Sequence, residues 1–152
     1  MASFTLGLDC KLYYGTAGAA LSALSLVNQA RDVECTWEGD EIDITTRGSG
    51  GFQLTALGLV KLGGTFNLLW KPGDAACLAL FAAAKPGSAG AGTGIELCFL
   101  TGLKSDATAV GWKFTASVLG IPIKQPFGEA VNFDVTVKPM DTPVYIDNAT
   151  SL

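Results

Sequence analysis

The fold of this chain turns on the stretch Asp40-Glu41-Ile42-Asp43-Ile44-Thr45-Thr46-Arg47-Gly48-Ser49-Gly50-Gly51-Phe52, DEIDITTRGSGGF. It opens in strict alternation, with Ile42 and Ile44 on one side and Asp43 and Thr45 on the other, the period of a half-buried strand. It then runs through Arg47-Gly48-Ser49-Gly50-Gly51 before turning apolar at Phe52. A tight hairpin needs only two turn residues. The run therefore predicts a long flexible arm between two strands, and loops of that length usually serve function.

Upstream, Val33, Cys35 and Trp37 alternate with Asp32, Glu34 and Thr36, a strand with one apolar and one largely acidic face. Gly39-Asp40 reads as the turn into the next strand, which makes the two segments antiparallel neighbours. Downstream, 52–57 reads as a returning strand, and Gly63-Gly64 leads into 65–71, where Phe66, Leu68 and Trp70 share a face until Pro72. Asp74 is placed to cap a helix over about 73–84, whose Leu78, Phe81 and Ala82 form its expected buried face, and Lys85-Pro86-Gly87 stops it.

Farther out, 10–14 is a short strand and 15–22 a loop or one weak helical turn. The segment 87–94 has linker composition, 95–100 is a strand with Ile95, Leu97 and Phe99 on one face, and 101–108 is a polar loop. Trp112, Phe114, Ala116 and Val118 alternate with Lys113, Thr115 and Ser117, the two prolines of 120–128 break the sheet, and Val131, Phe133, Val135 and Val137 form the last strong strand before Pro139. The sum is about eight strands and one flanking helix, a mainly-β sandwich or barrel. With 152 residues it forms a single domain over 1–152, with 1–20 and 140–152 as candidate interface arms or tails.

Composition narrows the chemistry. Net charge is −4 and no basic run exists, which argues against a surface that neutralises duplex phosphates. There is no His, so the commonest general base and metal ligand is missing, and Asp40, Glu41 and Asp43 read as a solvated strand edge rather than an acid–base pair. GSAGAGTG lacks the Lys-Ser/Thr ending of a phosphate loop. No catalytic residue, cofactor or metal site is expected. The four cysteines, Cys10, Cys35, Cys77 and Cys98, have no short pair spacing and read as buried thiols in a reducing compartment. Trp37, Trp70 and Trp112 are each in phase with an apolar strand face, which favours core packing over a stacking platform. The N-terminus does not read as a signal peptide, the longest apolar run is too short to span a membrane, and the sequon Asn148-Ala149-Thr150 carries little meaning without a secretion signal. Only 16% of residues are charged, so much of the surface is neither charged nor strongly polar, as expected if other copies of the chain cover it.

Several short motifs in order resemble the tail tube proteins of long-tailed bacteriophages: Arg31-Asp32-Val33, the Thr-Thr-Arg-Gly-Ser-Gly-Gly-Phe of 45–52, Gly58-Leu59, Trp70-Lys71-Pro72-Gly73-Asp74 before a helix, and the closing segment from Pro126-Phe127-Gly128-Glu129 to Pro139. The resemblance covers roughly 24–139. It implies hexameric rings whose inner strands join into one inter-subunit β-barrel, stacked into a tube through which double-stranded DNA passes without specific binding. It implies an inter-ring arm made of Thr45, Thr46, Arg47, Gly48, Ser49, Gly50, Gly51 and Phe52, with Arg47 available for a polar contact, and candidate lumen-facing acids Glu34, Asp43 and Asp134. Lys113 and Lys138 also lie on polar faces and weigh against a uniformly acidic lining. The implied partners are the chain itself and tail terminator, tape-measure and baseplate-type proteins. The implied location is a virion tail, assembled in the bacterial host cytoplasm. Two alternatives stay open: the inner tube of a contractile injection or secretion system, and a small β-sandwich binding or decoration module that uses its tryptophans. A carboxylate enzyme is the reading with least support.

Overall fold

Alternating apolar positions gather the described residues into one antiparallel sheet with one α-helix packed on it. A computed structural model describes Gly7 and residues 10–85 and 94–147. The expected linker other than Gly94, and the sequon, lie outside the described residues. Within them the strands are β1 (Lys11–Thr16), β2 (Ser25–Leu26), β3 (Ala30–Asp43), β4 (Thr55–Leu69), β5 (Ile95–Leu100), β6 (Gly111–Gly120), β7 (Ile123–Lys124), β8 (Asn132–Pro139) and β9 (Val144–Ile146). The spatial order is β2-β1-β5-β6-β8-β4-β3, with β7 added to β8 and β9 to β6. The mainly-β fold with one flanking helix is as the sequence predicts.

The sheet is strongly curled. Trp37 on β3 and Trp112 on β6 are separated by β8 and β4, so on a flat sheet they would stand about 14 Å apart. Their ring centroids are 5.9 Å apart. Inside the curl lies the main core, where Phe66, Leu68, Leu97, Phe114, Phe133, Val135 and Val137 meet Leu80 and Cys77 of the helix. A second cluster, Tyr13, Leu21, Leu24, Cys98, Leu100 and Ile146, covers the opposite face of β1 and β5. β5 is consequently buried on both faces, where one wet face had been expected.

The helix α1 (Ala75–Ala84) starts as predicted, with the Asp74 carboxylate accepting from the Cys77 amide at 3.2 Å. Its buried residues are Ala76, Cys77 and Leu80, not Leu78, which is exposed. Phe81 is half-buried and stacks edge-on with Trp70 and Phe133.

Other expectations are corrected. Gly39-Asp40 is no turn: β3 runs unbroken from Ala30 to Asp43, so the two predicted neighbours are one 14-residue strand. Gly63-Gly64 likewise lies within the 15-residue β4. The register slips between Gly39 and Glu41, placing Gly58 and Leu59 opposite Asp40 as a bulge in β4. The glycines serve close approach instead: Gly39 lies under the Leu57 side chain, and Gly64 faces the ring of Phe99. Phe52 precedes β4, which starts at Thr55. Residues 140–147 are not a tail, since β9 pairs with β6 and buries Ile146. Cys77 and Cys98 are buried as expected, Cys35 is half-buried, and Cys10 is exposed.

A Cβ on Gly64 would lie 2.5 Å from Cζ of Phe99. That ring is already hemmed in, stacked on Phe114 and edge-on to Phe66. Gly64→Ala is therefore expected to cost about 1–3 kcal/mol of stability by overpacking. Chemical denaturation checks it, and an unchanged midpoint would mean that the Phe99 ring swings aside freely.

Candidate assembly surface

β4 pairs with β8 only over Gly64 to Leu69, while it pairs with β3 down to Thr55. Residues 36–43 and 55–63 thus form a two-stranded ribbon beyond the sheet, on the order of 26 Å long at the usual rise per residue. A two-stranded ribbon is marginal in water by itself. This one is also apolar: Leu57 is 72% exposed, Leu59 78% and Trp37 57%, and Ile42 and Val60 are exposed with them. Trp37 has the apolar phase that the sequence predicts, yet it sits on the ribbon, more than half exposed and tilted against Trp112. The outer edge of β3 carries no further strand among the described residues, so a row of backbone donors and acceptors stands open.

The ribbon ends in a built loop, where the sequence suggests a flexible arm. Ile44 N donates to Leu54 O at 3.0 Å, and Leu54 N donates to the Thr45 hydroxyl at 2.9 Å. Thr46 and Ser49 form a reciprocal capping box around the 3-10 turn Arg47–Ser49, with Thr46 N donating to Ser49 Oγ at 3.0 Å. Gly50 and Gly51 then reverse the chain at φ +67° and +88°, backbone that only glycine adopts without strain. Thr45, Thr46, Ser49, Gly50 and Gly51 therefore shape the loop. Arg47 and Phe52 are displayed by it, both exposed, and Arg47 has no ion-pair partner among the described residues.

The three candidate lumen acids are not all brought together. Glu34 stands opposite Thr65, which stands opposite Thr136, and Asn67 stands opposite Asp134, so Glu34 and Asp134 share one polar face. Asp43 lies an odd number of residues from Glu34 along a stretch of β3 that itself carries no bulge, and falls on the other face. There it accepts from the Thr45 amide at 2.9 Å, and hydrogen bonds from Thr45 hold its carboxyl below the usual range.

The polar face is a network. Arg31 Nε donates to Asn67 Oδ1 at 2.9 Å, and Asn67 Nδ2 donates to Asp134 at 2.8 Å and to Asn132 at 3.0 Å. Lys124 pairs with Asp134 and, together with Asn67, lowers its pKa. Lys61 pairs with Asp40 at 3.0 Å. The face is therefore close to charge-balanced. Lys113 drops out of it, because its ammonium bonds the buried Glu96 at 2.7 Å.

Among the described residues no three His, Cys, Asp or Glu side chains are grouped to hold a metal ion, and no helix is long and apolar enough to cross a membrane. Sequence reasoning missed Leu57, Leu59 and Val60 as surface residues. The available signal was that 55–62 carries more apolar residues than one buried face can use.

No family model matches the chain, and no curated protein does. Solved structures do. The chain is similar to a subunit of the tail of an empty gene transfer agent particle with C6 symmetry, with a TM-score of 0.69, 12% identity, and coverage of 93% of this chain and 98% of that one. It is similar to the SPP1 tail tube, with a TM-score of 0.70, 15% identity, and coverage of 94% and 79%. It is also similar to a chain of the sheath–tube complex of the PVC extracellular contractile injection system, with a TM-score of 0.61, 10% identity, and coverage of 93% and 90%. At these identities the likeness is one of fold, and the fold is the one found in tail tubes and injection-system tubes.

Proposed function

We propose that this chain is a structural, non-enzymatic subunit that polymerises into the tube of a virion tail. The observation that carries the reading is the β3–β4 ribbon, whose 14-residue outer edge carries no further strand among the described residues and whose leucines and tryptophan stand exposed. The C6 symmetry of the similar gene transfer agent tail favours six copies per ring. In such a ring β3 of one copy adds to the sheet of its neighbour, and the curled sheets close into a common barrel with no free edge. The loop from Thr45 to Phe52 then reaches the next ring, where Arg47 meets an acceptor and Phe52 an apolar patch.

The face with Glu34 and Asp134 lines the lumen. Because Lys124 and Lys61 neutralise acids there, the wall is hydrated and nearly neutral, so double-stranded DNA passes without a lattice of phosphate contacts to hold it. Tail terminator, tape-measure and baseplate-type proteins complete the structure, which is assembled in the host cytoplasm. The inner tube of a contractile injection system is the second reading, favoured by the likeness to the sheath–tube complex.

Negative-stain microscopy of the concentrated protein tests this directly. Rings or tubes of constant width are expected, and a protein that stays monomeric sinks the reading. Deleting Ser49, Gly50 and Gly51 is expected to leave rings but at least halve mean tube length. Tubes of normal length from that variant would remove the loop from the inter-ring contact.

A further inference from the structure

We propose that Phe127 of one copy enters the pocket framed by Trp37, Trp112 and Tyr145 of the next copy along the tube, a contact that rests on the tube-forming reading above. Phe127 is 106% exposed, so no described residue of its own chain covers the ring. It is nonetheless held in place. Glu129 N donates to Pro126 O at 3.3 Å, Gly128 takes φ +83°, and the turn joins β7 to β8, which pair through Ile123 with Phe133 and Lys124 with Asn132. An apolar ring presented on a fixed turn loses little freedom on docking.

The pocket has the matching character. It is an open pocket of about 240 Å3 whose lining is mostly apolar, with Trp37, Phe99, Trp112 and Tyr145, and includes Lys11. That volume is below the roughly 300–1,000 Å3 of clefts that hold small-molecule ligands, and it suits one side chain. Trp112 packs edge-on to Tyr145 at 5.2 Å and its Nε1–H is buried without a hydrogen-bond partner.

Knob and hole lie at opposite ends of the sheet. The turn sits before Asn132, where β8 begins opposite Leu69. β8 ends at Pro139 opposite Ala116, and Trp112 lies four residues farther in the same direction. The separation is on the order of 35 Å along the strands. The ribbon projects from the pocket end. A contact between unlike ends of identical copies does not pair them off as a two-fold dimer does, and where its rotation does not close a ring it propagates as a filament. Copies stacked so that the ribbon of one meets the Phe127 end of the next bring the ring to the pocket. Phe52, the other strongly exposed phenylalanine, lies at the pocket's own end and cannot take this part.

The test uses the full chain. Phe127→p-benzoylphenylalanine is mixed with an isotopically labelled unmodified copy, assembled and irradiated, and adducts are mapped by mass spectrometry. The expected adduct joins position 127 to a peptide of the other copy carrying Trp37, Trp112 or Tyr145. Phe127→Ala is expected to raise the critical concentration for assembly about tenfold with an unchanged circular dichroism spectrum, and Phe127→Leu to recover part of it. Adducts elsewhere, or a Phe127→Ala variant that assembles like the unmodified chain, overturn this contact while leaving the tube reading intact. An unmodified chain that never assembles overturns both.

Discussion

Leu57→Asp together with Leu59→Asp is expected to abolish tube growth and leave a folded protomer. Both leucines are more than seven-tenths exposed in the isolated chain, so replacing them removes little from the fold, about 1 kcal/mol for the pair by the usual scale of surface changes. Within a tube the balance reverses. Each fully covered leucine contributes about 1.5–3 kcal/mol of burial, and the contact recurs at every copy. The aspartates would in addition have to bury charge without a partner. Sedimentation velocity with microscopy reads the assembly, and thermal melting reads the fold. Polymers at the unmodified concentration would mean that the ribbon is not the interface, and a protomer that fails to fold would mean that the leucines cover the chain's own core.

This experiment separates the classes of function left open by the sequence. A β-sandwich binding module that uses Trp37, Trp70 or Trp112 does not need Leu57 or Leu59. Trp70 has little to offer a ligand, since it packs against Phe81 and Phe133 at 5.5 and 5.8 Å. Trp37 is available, but next to an open strand edge, and open edges are normally blunted in chains that stay alone.

Strand parity was legible in the middle of the sheet: from Trp112 to Val118 and from Phe133 to Val137 the buried face is the one predicted. It did not carry over to β3, where the alternating Val33, Trp37 and Ile42 stand exposed. The helix start at Asp74 was equally plain. Glycine misled, for a definite reason. Gly39 and Gly63-Gly64 look like punctuation, because a missing side chain permits a turn, but it also permits another residue to lie across the strand. Leu57 over Gly39 and Phe99 against Gly64 are long-range contacts that one sequence cannot announce. The loop misled similarly. Arg-Gly-Ser-Gly-Gly has the composition of a linker, and only the pairing of Thr46 with Ser49 turns it into a capped turn. Of the proposed lumen acids, alternation alone joins Glu34 to the polar face, whereas Asp134 reaches it through the β4–β8 register.

The buried Glu96 was not legible either, because in IELCFL it reads as the wet position of an alternating strand. It is 3% exposed. Its carboxylate accepts from Lys113 Nζ at 2.7 Å, from the Thr115 hydroxyl at 2.7 Å and from the Gly18 amide at 3.0 Å, which ties the turn after β1 to β5 and β6. Burial alone would raise its pKa, but the bonds from Lys113, Thr115 and Gly18 outweigh burial and hold it below the ordinary 4.5. A carboxyl with a depressed folded pKa contributes stability that is present above its unfolded value and lost as pH falls through the folded one. Lys113→Met strands the carboxylate and is expected to cost about 3–5 kcal/mol at pH 7. The deficit should shrink on acidification and vanish only once the pH has fallen through the depressed folded pKa of Glu96, where the carboxyl is neutral in both proteins and the lost partner no longer matters. Glu96→Gln combined with Lys113→Met removes both charges together and should recover most of the loss. Denaturant titrations at neutral and acidic pH read all three proteins. A deficit under about 1 kcal/mol, or one that grows on acidification, would show that water reaches Glu96 and that the pair is not what holds β1, β5 and β6 in register.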